Sequence, residues 1–254
     1  MERGSKHILE QKKILEKNPH KKNEAIPNRN IKCNLKAYQF ANFISVASQH
    51  VKESFLLHQY PENRIFVNPY GVDLSMFKPL PNIPKKYDVI MVGGWGYEKG
   101  CDLIVEAIRK TNYSFIHVGS IKDVDFPQEK NFTHIDPVDQ SKLIEYYNQA
   151  KVFILPSRQD GFGMVLSQAL ACNLPIIGSN NCGAPDLKKM VELPEYITII
   201  KDYTADAIVT AIHTAIKNYE QLGERIYAGN AIENLTWEAY GKRYANFLHK
   251  IIKQ

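Results

Sequence analysis

The amino-acid sequence predicts an α/β protein built on a doubly wound parallel sheet. From residue 87 onward, short apolar segments of strand type alternate with segments of helical periodicity. Segment 151–155 is too continuously apolar to be half exposed, which is typical of parallel strands covered on both faces. Because right-handed crossovers bring the carboxyl ends of parallel strands to one edge of the sheet, we expect ligands to bind at that edge.

The composition of the 254-residue chain is that of an ordinary globular protein, with 44% hydrophobic and 23% charged residues. The net charge of +5 comes from residues 1–32, which hold nine Lys and Arg residues, whereas the rest of the chain is neutral. A nucleic-acid-binding core would carry a basic stripe, so this class of partner is excluded. We interpret residues 1–32 as a solvated helix and loop; contact with an anionic membrane surface or a lipid-linked acceptor is the alternative.

The four cysteines are far apart, without a Cys-x-x-Cys pair or a nearby histidine at metal-ligand spacing. We therefore expect reduced thiols, two of them filling the core, and no metal site. The sequence contains neither an apolar run long enough to span a membrane nor an apolar secretory segment after its charged start. These features predict a cytoplasmic protein with, at most, peripheral contact at the inner face of the membrane.

The residues before position 71 predict short, separate elements. Ser48 is expected to cap a helix, because its hydroxyl can accept from the unpaired backbone N–H groups of the first turn. Four prolines between positions 69 and 84 then form a stiff connection, which we interpret as an interdomain linker over residues 71–86. The predicted elements are helices 8–15, 36–42 and 49–58, a loop over 18–30, and strands 43–47 and 64–67.

After the linker, strands and helices follow one another regularly. The helix predicted over 205–219 carries a clear apolar face, and the last helix is amphipathic. The predicted strands are 88–92, 114–118, 132–135, 151–155, 174–178 and 196–200. The predicted helices are 102–109, 140–149, 163–171, 205–219 and 237–252.

Three segments at predicted strand ends carry candidate chemistry. The first, residues 92–100, is glycine-rich and joins a strand to a helix, so its backbone and helix N-terminus suit a phosphate, with Lys99 adding a positive charge. A tight turn without a ligand explains the glycines equally well. The dinucleotide fingerprint is a poor match, because its last glycine gap is one residue longer here and strand 114–118 lacks a terminal acid.

The second segment places Asp160 in a polar loop just before a helix, with Gln168 about one and a half turns into that helix. A carboxylate there can accept hydrogen bonds from sugar hydroxyls, and an amide can bond a ribose. The alternative is that Asp160 merely caps the helix. The third segment, residues 178–186, is another junction of small polar residues at the same edge.

Taken together, these segments resemble the retaining GT-B glycosyltransferases of the group 1 type. The resemblance is carried by Gly71-Val72-Asp73 with Phe77 and Pro79, Lys99-Gly100 with Asp102, Pro156-Ser157, Asp160-Gly161-Phe162-Gly163, and Gly183 with Asp186. It implies two facing Rossmann-like domains with the site in the cleft. The implied division is a remnant of the acceptor-side domain (1–70), the linker (71–86), a nucleotide-sugar-binding domain (87–235), and a helix crossing back onto the first domain (236–254).

The resemblance also implies site residues. Lys99 matches the lysine that binds the donor diphosphate, and Asp160 matches the first acid of a Glu-x7-Glu pair, which contacts the transferred sugar. Lys99 and Asp160 are therefore expected to be catalytic. Gln168 matches the second acid of the pair, which binds the ribose. No cofactor or metal is implied beyond the nucleoside-diphosphate sugar. The expected donor-binding set is Gly93, Gly94, Lys99, Asp160, Gly161, Phe162, Gly163, Met164, Val165 and Gln168.

The sequence departs from the family pattern in three places. The acid pair is Asp160 and Gln168, and Gly94 stands where the family often has a phosphate-binding arginine. Only about 70 residues precede the linker, fewer than a whole domain needs, so we expect an N-terminally truncated member.

The implied function is transfer of a sugar, with retention, from a nucleoside-diphosphate sugar to a glycan or lipid-linked acceptor in cell-envelope polysaccharide synthesis. One alternative is a non-catalytic or split-enzyme subunit that binds the nucleotide sugar and needs a partner chain for the acceptor domain. A relic that folds poorly is a further alternative. A phosphorylase on a similar fold would need a pyridoxal-phosphate lysine in a much longer chain.

Overall fold

The computed structural model describes residues 13–14, 16–19, 28–191, 194–222 and 230–253. The helix predicted over residues 8–15 lies mostly outside these ranges. The strands are β1 (Ile44–Val46), β2 (Ile65–Val67), β3 (Tyr87–Val92), β4 (Phe115–Val118), β5 (Phe132–Ile135), β6 (Ala150–Leu155), β7 (Ile176–Ser179) and β8 (Ile197–Ile200). The α-helices are α1 (Asn28–Phe40), α2 (Gln49–Leu56), α3 (Cys101–Arg109), α4 (Gln140–Asn148), α5 (Met164–Ala171), α6 (Ala184–Met190), α7 (Ala205–Leu222) and α8 (Trp237–Ile252).

The main sheet has six parallel strands in the order β5-β4-β3-β6-β7-β8. This confirms the predicted α/β class. The chain leaves β3 toward β4 on one side and later returns to place β6 on the other side. The order of strands therefore reverses between β3 and β6, and a crevice opens at the carboxyl ends of these two strands, where doubly wound sheets bind ligands.

The sheet is buried on both faces. All four residues of β4 and all four of β7 are buried, as expected for parallel strands covered by helices on both faces. Helix α7 packs along β6, β7 and β8 and also contacts α3. This continuous core holds the loops after β3 and β6 in fixed positions, which a ligand site needs.

The segment before the linker forms a smaller unit. Strands β1 and β2 pair in parallel, with Ile44 opposite Ile65. Side chains of β1 and α2 form a separate apolar cluster around Phe55, and the Tyr38 ring of α1 meets Phe55 edge-on at 5.0 Å between centroids. Ser48 caps α2 as predicted, because its hydroxyl accepts from the Val51 N–H at 3.2 Å.

Helix α1 differs from the sequence-based expectation. A loop was expected up to residue 30 and a helix only from residue 36, but the helix begins at Asn28. The polar, Asn-rich start of this helix hides the helical pattern. Pro27 comes just before that start in the sequence, at a position where helices accept a proline. The contact of Tyr38 with Phe55 is a tertiary stabilisation that periodicity does not reveal.

The last helix packs on the segment before the linker. The Phe247 ring of α8 stacks on Phe66 of β2 at 4.0 Å between centroids. The Arg243 guanidinium donates to the Asn68 side-chain oxygen at 2.7 Å and to the Pro69 carbonyl at 2.8 Å. Helix α8 thus crosses back onto the segment that precedes residue 71. The domain boundaries given above stay a prediction.

Two further features complete the fold. Helix α6 was not predicted, because the segment from residue 178 is rich in small polar residues, yet Pro185 at the helix start is a favoured position. The cysteines are free thiols, as expected, and three of them are buried where two were expected: Cys101, Cys172 and Cys182. Among the described residues, no helix has the length and apolarity needed to cross a membrane.

Candidate functional site

A cavity of about 530 Å³ lies at the crevice between β3 and β6. One wall comes from the loops after β3 and β6 and from the start of α5. The opposite wall comes from α1, β1 and α2. The cavity therefore lies between the large sheet and the smaller unit that precedes the linker.

The charged centre of the cavity is an ion pair. The Lys99 Nζ lies 2.7 Å from the Asp160 Oδ2, and the two side chains are 25% and 17% exposed. The other carboxylate oxygen, Asp160 Oδ1, accepts from the backbone N–H of Phe162 at 3.1 Å. Helix α5 begins after Gly163, and no side chain caps its N-terminus. The interpretation of Asp160 as a mere helix cap is therefore wrong.

Arg158 joins the loop after β6 to the turn that carries Lys99. Its guanidinium donates to both carboxylate oxygens of Asp102 at 2.6 and 2.7 Å and to the Tyr97 carbonyl at 2.6 Å. The guanidinium carbon also lies 3.7 Å from the centre of the Tyr97 ring. Such a planar, bidentate pair restrains geometry as well as adding stability. Arg158 was not among the predicted site residues, because only the fold shows that Asp102 is its partner.

Helix α5 presents its N-terminus to the cavity. Its N-cap residue, Gly163, has φ of 77°, and a Cβ atom there would lie 2.8 Å from the Leu155 side chain. Glycine is thus required at this turn. Met164 and Val165, the first helical residues, line the cavity, and the unpaired N–H groups of a helix start favour an anion.

Hydrogen bonds join the loop after β6 and helix α6 to the start of α2. The Ser48 hydroxyl donates to the Gly161 carbonyl at 2.6 Å, and His50 Nε2 lies 2.9 Å from Gln159 Oε1. The Gln49 N–H lies 3.1 Å from both oxygens of the buried Asp186 carboxylate. Burial raises the pKa of Asp186, and the bond from Gln49 partly opposes that rise. These contacts hold the two walls of the cavity together.

Two neighbouring histidines, His117 of β4 and His134 of β5, support the glycine loop that follows β3. The fully buried His117 lies with Nε2 2.8 Å from the Gly93 carbonyl and with Nδ1 3.0 Å from His134 Nδ1. Burial lowers the pKa of His117 to about 4, so the ring is neutral at pH 7. Because the carbonyl only accepts, Nε2 carries the hydrogen, and His134 Nδ1 must donate to His117 Nδ1. The neutral tautomer thus fixes the Gly93 carbonyl.

Most of the predicted donor-binding residues come together in the cavity. The side chain of Phe162 is buried beneath it, so its exposed contribution is backbone. Gln168 is separate from the cavity lining: its side chain is 7% exposed, and its Oε1 accepts from the buried Tyr147 hydroxyl at 3.0 Å. Those lining the cavity are Gly93, Gly94, Lys99, Asp160, Gly161, Phe162, Gly163, Met164 and Val165.

Within the part of the chain that the structure describes, no three His, Cys, Asp or Glu residues lie close enough together to hold a metal ion. The cavity lining combines one cation, one carboxylate and a helix N-terminus. This arrangement can bind an anion beside a group that offers hydroxyls.

Comparison with known proteins identifies relatives of this chain. The profile of the family described as Glycosyl transferases group 1 matches residues 75–231. A probable sucrose-phosphate synthase of Thermosipho melanesiensis is 26% identical over 84% of this chain and 56% of its own length. A GDP-mannose-dependent alpha-(1-6)-phosphatidylinositol monomannoside mannosyltransferase of Mycolicibacterium smegmatis is 23% identical over 82% of this chain and 62% of its own length. The chain therefore spans little more than half the length of these relatives.

A solved structure shares the fold. The Anabaena protein HepE, solved in complex with UDP-glucose, superposes with a TM-score of 0.69 at 17% identity, over 88% of this chain and 67% of HepE. At this identity the likeness concerns the fold, which is that of the GT-B glycosyltransferases.

Proposed function

Because this chain belongs to the group 1 glycosyl transferases, we propose that it binds a nucleoside-diphosphate sugar and transfers the sugar to a glycan or lipid-linked acceptor with retention of configuration. The observation that carries this proposal is the Lys99–Asp160 pair, which lies in the cavity at the switch point of the sheet. A cation for a diphosphate and a carboxylate for sugar hydroxyls are there side by side.

The diphosphate subsite combines Lys99 with the start of α5. The Lys99 ammonium and the N–H groups of Met164 and Val165 act on negative charge that grows on the diphosphate as the bond to the sugar breaks. Fixed positive groups aimed at developing charge are a strong source of catalysis in a cavity shielded from water. Gly93 and Gly94 let the backbone come close to the phosphates.

The sugar subsite is built around Asp160. Its carboxylate is oriented by Lys99 and by the Phe162 N–H, so its remaining acceptor capacity faces the transferred sugar. Asp160 is the acidic residue among those that line the described cavity. A second carboxylate at the spacing of a nucleophile is thus missing from this lining. Retention would then proceed by attack of the acceptor hydroxyl on the face that the diphosphate leaves, with the proton passing to the departing phosphate oxygen.

The family pattern assigns the ribose to Gln168, but here Gln168 is buried outside the cavity lining. Its carbonyl oxygen is engaged by Tyr147, so only its amide N–H groups remain for a ribose hydroxyl. A neutral amide binds more weakly than the charged acid that the family pattern has at this position.

The cavity wall formed by α1, β1 and α2 favours a partly apolar acceptor. The half-buried Tyr38 and Val51 line it, together with the buried Ile44, Val46 and Phe55. The relative from M. smegmatis, by its name, acts on a phosphatidylinositol mannoside. A lipid-linked acceptor of cell-envelope polysaccharide synthesis would fit such a wall. The positive charge of residues 1–32 would then favour binding to an anionic membrane surface.

Exposed apolar side chains of the same small unit, Phe40 at the end of α1 and Leu57 after α2, favour a second candidate function. A donor-binding subunit without transferase activity of its own would use this surface to pair with a chain that supplies the acceptor domain. Transfer activity of the purified chain alone separates the two candidates, because the subunit would need its partner.

The test is thermal unfolding of the purified chain with UDP, GDP, ADP and their sugars. A ligand that binds only the folded state stabilises it by about 2.7 kcal/mol at a hundred times its dissociation constant. A shift with one nucleotide identifies the donor base. Transfer to a lipid-linked acceptor is then followed, with the anomeric configuration of the product read by NMR. Cooperative unfolding without a shift for any nucleotide would contradict donor binding, and a product of inverted configuration would contradict retention.

A further inference from the structure

The charge balance of the cavity raises a question about the diphosphate. The lining holds one cation, Lys99, and one carboxylate, Asp160, and they are paired at 2.7 Å. A nucleoside-diphosphate sugar carries two negative charges on its phosphates. The paired lysine offers only partial compensation, because its nearest neighbour is already an anion. A further cation close to the glycine loop would improve binding.

Lys122 is fixed beside that loop by its backbone. Its N–H donates to the Trp95 carbonyl at 2.9 Å, and the Trp95 N–H donates to the Ser120 carbonyl at 2.8 Å. Trp95 is fully buried. The backbone of Lys122 is therefore tied to the core next to Gly94, while its side chain remains exposed.

The Lys122 side chain lies across Gly94. A Cβ atom added to Gly94 would be 2.5 Å from Lys122 Cε and 3.1 Å from Lys122 Nζ. The ammonium thus occupies the space into which a side chain of residue 94 would extend. Gly94 itself lines the cavity and Lys122 does not, so this ammonium lies next to a lining residue and outside the lining.

The charge of Lys122 is available. Within the described ranges, the ion pairs of the chain do not include the Lys122 ammonium. Arg158, the other cation near the cavity loops, is engaged by the Asp102 carboxylate and the Tyr97 carbonyl. A lysine on a flexible stem can move a short distance to meet an anion without loss of an existing partner.

We propose that Lys122 is the second cation of the donor diphosphate subsite and acts through the space that Gly94 leaves open. This inference rests on the proposed function, since it assumes a nucleoside diphosphate in the cavity. It also explains the glycine at residue 94: a larger side chain there would displace Lys122. The cation that the family often carries at this position is supplied from the loop after β4.

The test compares Lys122→Met with the wild-type chain. Methionine keeps the apolar stem over Gly94 and removes only the charge. Binding of UDP, GDP and ADP is measured by calorimetry, together with binding of the corresponding uncharged nucleosides. We expect Lys122→Met to weaken the preferred diphosphate about tenfold or more and to leave the nucleoside unchanged. Lys122→Arg should retain most of the affinity.

A matched control and a rescue sharpen the test. Lys130→Met makes the same charge change at an exposed position before β5 and should leave affinity unchanged. The double variant Gly94→Arg with Lys122→Ala moves the cation from residue 122 to residue 94 and clears the space that the arginine needs, and it should recover affinity lost by Lys122→Ala. Recovery would show that charge at this place, and not packing of the lysine stem, is what the diphosphate needs.

The outcomes separate this inference from the proposed function. If the wild-type chain binds none of the diphosphates, the proposed function fails. If the wild type binds one of them and Lys122→Met binds it equally well, Lys122 has no role and the inference is overturned. Equal weakening of the diphosphate and the nucleoside by Lys122→Met would likewise overturn it, because it would indicate a structural effect.

Discussion

Lys99 follows β3 and Asp160 follows β6, yet the ammonium nitrogen of one lies 2.7 Å from a carboxylate oxygen of the other. The two residues meet because β3 and β6 are neighbours in the sheet, although 61 positions separate them in the chain. Each is partly exposed, so the pair is open to a ligand and is not a buried structural bridge. Its two members make opposite contributions to the binding of an anion.

Replacing Lys99 by Met should weaken binding of the donor diphosphate about tenfold or more. The variant loses a charge-assisted contact and leaves the Asp160 carboxylate without its counter-ion, so the anion is also repelled. Calorimetric titration with the nucleotide selected by thermal unfolding measures the effect. Lys110→Met is the control, because that lysine pairs with Asp206 on the surface. Unchanged affinity in Lys99→Met would rule out the assigned role.

Replacing Asp160 by Asn should separate binding from transfer. The free nucleoside diphosphate should bind as well as before or more tightly, because a negative charge next to it is removed while Lys99 is released. Transfer should fall about a hundredfold, because the carboxylate no longer accepts from the sugar hydroxyls. Titration and initial rates of sugar transfer measure the two effects on one preparation. A parallel loss of diphosphate affinity would instead assign Asp160 to folding of the loop.

The Arg158–Asp102 pair should be strongly coupled. Its bidentate geometry and its limited exposure, 16% and 21% of the two side chains, predict a coupling free energy of about 1–3 kcal/mol. A double-mutant cycle with Arg158→Met and Asp102→Asn, read by urea unfolding, measures it. Arg109 and Glu129 form an exposed pair for comparison and should show clearly weaker coupling, because solvent screens their interaction. Equal coupling in the two pairs would contradict a restraining role for Arg158.

His117 should make stability depend on pH. Its pKa in the folded chain, about 4, lies below its ordinary value of 6.5, because burial penalises the charged ring. The unfolded chain therefore binds more protons between these two values, and the free energy of unfolding falls as the pH drops from 6.5 to 4. Above pH 6.5 the contribution is fully present. The total loss is about 3 kcal/mol.

Urea unfolding at several pH values between 7 and 4 checks this dependence. His117→Asn retains an N–H donor for the Gly93 carbonyl and does not titrate, so its stability should fall less steeply over this interval. His249→Asn is the control, since that histidine is exposed on α8. A slope in His117→Asn equal to that of the wild type would show that other groups account for the acid sensitivity.

The elements that the sequence predicted well share a physical property. Strands such as β6 and helices such as α7 carry a strong apolar pattern, because each buries most of one face or both faces in the core. Helices α1 and α6 were misjudged or missed, because their polar residues give a weak periodic signal. Their positions depend on contacts with distant parts of the chain, such as Tyr38 with Phe55 and Gln49 with Asp186.

The candidate site shows the same division. Lys99, Asp160 and the surrounding glycines could be identified from the sequence, because their residue types follow predicted strands at a spacing that resembles a known family. The partnership of Arg158 with Asp102 and the position of Lys122 over Gly94 could not be identified. Each joins residues from different loops, and sequence spacing does not indicate which loops lie together.

By itself, the sequence determined the α/β class, the loops that line the cavity, and the family that the chain resembles, because hydrophobic periodicity and motif spacing are local properties. Only the tertiary structure decided that β3 and β6 are neighbours, that Lys99 pairs with Asp160, and that Gln168 turns toward Tyr147. Those relationships depend on the order of strands in the sheet and on side-chain packing between distant segments. The stabilisation that fixes them comes from burying the whole hydrophobic core, so it cannot be deduced from any single segment of the sequence.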